Sequence, residues 1–178
     1  DIAVSFTDVD LTDVGHAATI TAVETDGVTT GLALDATALK ALVTPGAVTK
    51  TSGSSSGSVT LAFSAASTAF DYLAKDEVLT LTYTVEVDDK DGGKVTKDFV
   101  VTVKGTNDVP VIASIAQKDL TEQTDTAALT SDIAVSFTDV DLTDVGHAAV
   151  ISAVATSGVT TGLALDATAL KALVTPGA

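Results

Sequence analysis

The sequence predicts an all-β protein made of antiparallel β-sandwich units in tandem, and three observations carry that expectation. Short segments alternate apolar and polar residues with the period of two that a strand imposes. Clusters of Gly, Asp, Asn and Ser separate them, as turns require. A long internal repeat marks the chain as one domain-sized period followed by the first part of the next.

The repeat sets the organisation. Residues 1–47 recur as residues 132–178, an offset of 131, and only four positions differ: Thr19/Val150, Thr21/Ser152, Glu24/Ala155 and Asp26/Ser157. Such a period is too long for a solenoid turn and right for a whole domain. The expected boundaries are a repeat unit over 1–104 that lacks its first strand, a linker over 105–108, and the first part of the next unit over 109–178. Residues 132–178 are then expected to need a complement equivalent to 48–104 from another copy or from further repeats. The four-residue linker spans about 14 Å at most, too little for the chain to fold back and supply it.

Taken in order, Ile2, Val4 and Phe6 share one face of a strand. Within 35–43 a short helix is expected, capped by Asp35, stapled by Leu34 to Leu39 and ended by Pro45-Gly46. Residues 50–58, dominated by Ser and Gly, read as a flexible surface loop. Val59, Leu61 and Phe63 alternate again, and Ala69 to Glu77 suggests a second helical turn. Leu79, Leu81, Tyr83, Val85 and Val87 face inward opposite Thr80, Thr82, Thr84 and Glu86. Residues 79–87 and 95–104, the latter carrying Phe99, Val101 and Val103, flank Asp88-Asp89-Lys90-Asp91-Gly92-Gly93 and form a hairpin. Strand 95–104 ends at Gly105-Thr106-Asn107-Asp108-Val109-Pro110, where Pro110 pins the next extended segment.

Composition narrows the function. There are 24 acidic residues against nine basic ones, all Lys, for a formal charge of −15. That balance is wrong for a nucleic-acid partner, which needs a basic footprint. So acidic a domain must solvate its charge or bind cations. The absence of Cys removes disulfides, thiolate zinc sites and thiol nucleophiles. No stretch is long and apolar enough for a membrane span, so direct membrane insertion is not expected.

Four acidic groups are candidates for calcium: Asp8, Asp10 and Asp13; their copies Asp139, Asp141 and Asp144; Asp88, Asp89 and Asp91; and Asn107 with Asp108. Calcium takes six to eight oxygens from carboxylates, amides and backbone carbonyls. The loop is not an EF-hand, because the twelfth position from Asp8 is Thr19 where that motif needs a bidentate Glu. The Gly-rich nonapeptide of calcium β-rolls is also missing. By spacing alone an Asp-x-Asp is as readily a solvated acidic turn. With Ig-like strand order, however, the linker, the Asp139–Asp144 loop and the final hairpin loop gather at one end of a unit, and a bound cation relieves their repulsion.

The stretches Phe70-Asp71-Tyr72-Leu73, Leu79 to Val85, Asp91-Gly92-Gly93 and Val101 to Pro110, with Phe137-Thr138-Asp139-Val140-Asp141, resemble the VCBS-type repeats of giant bacterial RTX adhesins and biofilm-associated proteins. The similarity covers essentially the whole period, and Gly-Thr-Asn-Asp is its most specific part. The resemblance implies an Ig-like, cadherin-like fold and a non-enzymatic extender of a type-I-secreted adhesin on the bacterial cell surface. Calcium would stiffen the junctions, neighbouring repeats of the same polypeptide would be the partners, and domains elsewhere would bind the target surface. It matches Asn107 and Asp108 to linker ligands, Asp139 and Asp141 to the Asp-x-Asp pair, and Asp91 to the last loop. Cadherins add an acidic Asp-x-Glu, for which Asp71, Asp76 and Glu77 are nearest but differently spaced.

Other residues fit structural roles. His16 and His147 suit a surface or strand edge, and Tyr83 the core, while Tyr72 is a candidate brace at the junction. The serines at 52, 54–56 and 58 have no base nearby. The alternative function is a repeat that itself binds carbohydrate, ice or a cell, but few exposed aromatics and scattered Thr residues argue against it. An enzyme is not expected, since no nucleophile–base pair is visible.

Overall fold

The computed structural model describes residues 1–177. The chain forms two compact units, Asp1–Thr143 and the segment from Asp144 onward. In the first unit lie β1 (Ile2–Thr7), β2 (Ala17–Gly27), α1 (Ala36–Ala41), β3 (Val43–Pro45), β4 (Thr49–Lys50), β5 (Ser56–Phe63), β6 (Val78–Asp88), β7 (Lys94–Lys104), β8 (Val111–Ile112) and β9 (Phe137–Thr138). The fold class is all-β. Strands run in the order β1-β5-β3 in one sheet, with β4 also on β5, and in the order β2-β6-β7 in a second. Every pairing is antiparallel.

The alternating pattern decides which faces meet. In β6, the middle strand of its sheet, Leu79, Leu81, Tyr83, Val85 and Val87 are all buried while the intervening residues are half-covered. Val59 and Leu61 of β5 and Val43 of β3 join them in one core, with Ile2 and Val4 of β1, Ile20 and Val23 of β2, and Phe99, Val101 and Val103 of β7 packed on it. Tyr83 is fully buried, stacks on its cross-strand partner Phe99 at 5.3 Å, and donates its hydroxyl to the Leu39 carbonyl at 3.0 Å. That bond resolves the one polar atom a buried Tyr brings with it.

Helix α1 is capped as expected, with the Asp35 carboxylate accepting from the Ala38 N–H at 2.8 Å. Its end differs from expectation. Leu42 closes the helix, and Pro45 lies in β3, opposite Leu61 of β5. Pro there sits in the last position of a three-residue strand, where few ladder bonds are at stake. The second helical turn falls at Ser67–Ala69, ahead of the expected 69–77.

Residues 50–58 are not one flexible loop. Lys50 belongs to β4, and Ser56, Gly57 and Ser58 open β5. Gly57 is opposite Phe6, and a Cβ there would run into the Phe6 ring. Ser and Gly favour loops, but here small residues let an aromatic ring lie across a strand. Between the strands, the Gly53 N–H donates to the Leu11 carbonyl at 2.6 Å and the Asp8 N–H to the Ser55 carbonyl at 2.8 Å. This segment thus underpins the first acidic loop.

The expected repeat boundary at 105–108 and the division by packing at 143/144 describe different things. Residues just beyond the linker are held together by the pairing of β8 with β9, and they remain attached to the first unit because Asp141 and Thr143 bond back to Asp108 and Glu77. Ile133, Val135 and Phe137 stand exposed, at 45%, 47% and 47%. Among the described residues from Asp144 onward the regular element is α2 (Ala167–Ala172), capped by Asp166 on the Ala169 N–H at 2.8 Å. Lys171 there donates to the Ser152 carbonyl at 3.1 Å, and Ile151 and Val154 are exposed.

Candidate functional site

Two acidic groups are built within the first unit. The first follows β1. The Asp8 carboxylate accepts the Asp10 N–H at 2.8 Å, closing an Asx turn, and the Asp13 N–H bonds the Asp10 carbonyl at 3.0 Å. This winds the loop so that one carboxylate oxygen each from Asp8, Asp10 and Asp13 lies within 4.8 Å of the others. His16, at the foot of β2, is buried rather than on the surface. Its Nε2 pairs with Asp8 Oδ2 at 2.9 Å, and its ring lies 5.0 Å from that of Phe6. The carbonyls of Asp10 and Asp13 accept the Lys50 ammonium at 2.9 and 2.7 Å. The Asp10 N–H, above all, holds the Asp8 carboxyl below the usual carboxylate range, against its burial and with help from His16 and Lys50. Asp13 is shifted the other way, by burial first and then by Asp91, Asp8 and Asp10, with Lys50 opposing.

Asp91 of the β6–β7 turn is therefore close enough to Asp13 to be felt electrostatically. Its neighbours are occupied otherwise. Asp88 accepts the Lys90 N–H at 2.7 Å and pairs with Lys94 at 3.3 Å, while Asp89 accepts the N–H groups of Asp91 and Gly93, both at 2.8 Å. Asp88 and Asp89 build the turn, and Asp89 also lines the cleft that holds Asp8 and His16.

The second group joins the linker to the repeated loop. The Asp139 carboxylate accepts the Asp141 N–H at 3.1 Å, the same Asx turn as at Asp8. Asp141 Oδ2 then accepts the Asp108 N–H at 2.7 Å. Asp141 is only 2% exposed, and its Oδ1 has no hydrogen-bond partner. Burial, then the charges of Asp141, Asp71 and Asp139, raise the Asp108 carboxyl above its usual value. Asp71 lines one cleft with Asp108 and another with Asp139, and the charges of Asp71, Asp139 and Asp141 are all felt at Asp108. Asn107 adjoins them and donates its amide to the Asp108 carbonyl. Asp144 opens the second unit and is exposed.

Sequence reasoning left Asp71, Asp76 and Glu77 open, and their surroundings separate them. Asp71 lines a cleft with Asp108, Asp76 pairs with Lys104 at 2.7 Å, and Glu77 accepts the Thr143 hydroxyl at 2.8 Å. Tyr72 bonds the Val28 carbonyl at 2.9 Å. Beside it, Gly31 has a positive φ of 99° and leaves room for Leu142, whose Cδ1 would lie 2.6 Å from any Cβ at that position. Lys50 went unremarked in sequence, its one signal being that it is the lone cation between Lys40 and Lys75.

No protein-family model, curated protein or solved structure matches the chain. No helix among the described residues is long and apolar enough to cross a membrane.

Proposed function

We propose that the chain is a structural extender repeat of a secreted bacterial surface adhesin, with calcium holding successive repeats of the sequence in line. One observation carries the reading: the linker N–H of Asp108 bonds the buried Asp141 carboxylate, whose Oδ1 is left without a partner, where the charges of Asp71 and Asp139 are also felt. A buried carboxylate oxygen with no donor is costly. The surrounding groups are acids that raise one another's energy, and a hard divalent cation resolves both costs at once. The donor set fits calcium, being carboxylate, amide and carbonyl oxygen without sulfur. Asp71, Asp108, Asp139 and Asp141 would hold the ion, with Asn107 beside them. The strand orders β1-β5-β3 and β2-β6-β7 support an Ig-like, cadherin-like sandwich, the architecture in which linker and loop share one end.

The residues' own part is to gather negative charge where the linker leaves β7 and to keep it from relaxing. The Asx turn at Asp139 aims the loop, and the Asp108–Asp141 bond ties it to the linker. A calcium ion supplies the countercharge that lets this arrangement stay closed. The test is calorimetric titration of calcium into the exhaustively chelated chain. Binding in the range of about 0.1–1 mM, typical of extracellular modules, supports the reading. Loss of heat on Asp139→Ala or Asp108→Ala would assign it to this group, whereas no binding by the parent sinks the proposal.

A further inference from the structure

The first acidic loop already holds a cation, and it belongs to the chain. Lys50 has a side chain only 1% exposed. Its ammonium donates to the carbonyls of Asp10 and Asp13 and stands 3.7 Å from Asp8 Oδ2. Lysine carries a compact, strongly hydrated charge, and removing it from water is costly unless oxygens replace the lost hydration. Here two carbonyls and a carboxylate do so, the same types of oxygen that a hard metal ion takes. The position is no accident of a loose surface chain. Lys50 is fixed by β4, whose residues pair with Ser58 and Gly57 of β5. The loop above it is tied down by the Gly53–Leu11 and Ser55–Asp8 backbone bonds.

We propose that Lys50 is a tethered cation built into the first acidic loop, a positioning residue whose ammonium fills an inner cation position and sets the loop's oxygens in place. The carboxylates of Asp8, Asp10 and Asp13, with one oxygen of each within 4.8 Å of the others, remain for a divalent ion. The loop would then keep its binding-ready shape when the divalent ion is withdrawn. The inference extends the calcium reading to this loop, but its test can succeed or fail separately.

The test compares melting temperatures in EDTA and in millimolar calcium chloride for the parent, Lys50→Met, Lys50→Gln and Lys50→Arg. Removing the charge leaves buried oxygens that an ion can then occupy. Lys50→Met and Lys50→Gln should therefore melt lower in EDTA and regain much of the loss in calcium. Their calcium-dependent rise should exceed the parent's by about 3 °C or more. Lys50→Arg, which keeps the charge, should show the parent's rise. A purely structural role would lower both melts equally, and that result overturns the proposal, as does a variant unfolded in both buffers or one unchanged in both. Should the parent show no calcium effect while Lys50→Met acquires one, the tethered cation stands and the calcium reading of the linker group falls. The opposite pattern, a parent effect with no enlargement in the variants, refutes the tethered cation alone.

Discussion

Replacing Asp141 with Asn separates the carboxylate's charge from its hydrogen bond. Asn keeps an oxygen that can accept the Asp108 N–H, now made at 2.7 Å, so the loop's attachment to the linker survives. What is lost is one negative charge from a group of four and the ligand at the partnerless Oδ1. The effect should have opposite signs in two buffers. In chelator, fewer like charges crowd Asp108, so the variant should melt no lower than the parent. In calcium, the parent gains RT ln(1 + [Ca]/Kd), about 1.4 kcal/mol when calcium is tenfold above Kd. If the lost ligand weakens binding about tenfold, the variant gains only about 0.4 kcal/mol at the same concentration. The difference of about 1 kcal/mol is roughly 3 °C for a unit of this size. Scanning calorimetry in EDTA and in 1 mM calcium, a concentration set about tenfold above the tight end of the extracellular range, reads both arms. An Asp141→Asn protein whose calcium-dependent rise equals the parent's would show that this carboxylate does not bind the ion.

Other outcomes follow from single contacts. Tyr83→Phe removes the bond to the Leu39 carbonyl, which still accepts the Leu42 N–H at 3.1 Å; denaturant titration should show a loss of about 1 kcal/mol, with little change in calcium binding. Asp35→Ala should cost roughly 1 kcal/mol through the lost helix cap and leave the calcium heat intact, so a variant that also lost the ion would contradict the separation of cap from site. Gly57→Ala should destabilise by about 1–3 kcal/mol because Phe6 must give way, and pairing it with Phe6→Leu should recover part of the loss. Asp76 has its carboxyl held below the ordinary 3.8 by the Lys104 hydrogen bond and charge. Its folded pKa is depressed, so its contribution is present above that ordinary value and lost as pH falls through the folded one; Asp76→Asn should flatten stability against pH below about 4 and leave it unchanged in shape near neutrality.

The repeated sequence shows why some of the fold was legible and some was not. Asp35 and Asp166 head the same six residues, and both cap a helix of the same length. Helix and cap are local, made from residues within a few positions of each other, so reading them needs nothing distant. The strand pattern is different. Ala17–Gly27 forms β2 on β6, yet its near-copy over 148–158 forms no strand, because a strand's hydrogen bonds belong to its neighbour. Alternation told which face of β6 would be buried, but not that Pro45 would join a sheet or that Ser56–Ser58 would extend one. Those assignments rest on β5 as a partner and on the Phe6 ring. At the candidate site, the acidic loop and linker could be named from residue type and spacing. Lys50 could not, since what makes it part of the loop is a strand pairing that brings it within reach of residues 37 and 40 positions earlier.

Leu142 resting over Gly31 has a consequence for a chain under tension. A pull applied beyond Thr143 does not reach the 105–110 segment directly. It meets first the Thr143–Glu77 bond, then the Leu142 side chain beside Tyr72, then the Asp141–Asp108 bond. These attachments act in sequence, as strain relief on a cable spares the joint behind it. The glycine matters because its positive φ and missing side chain create the seat, so Gly31→Ala would remove the middle anchor without touching a carboxylate. In single-molecule stretching, that variant should release residues 111–143 at lower force than the parent, while the strands from β1 to β7 yield as before.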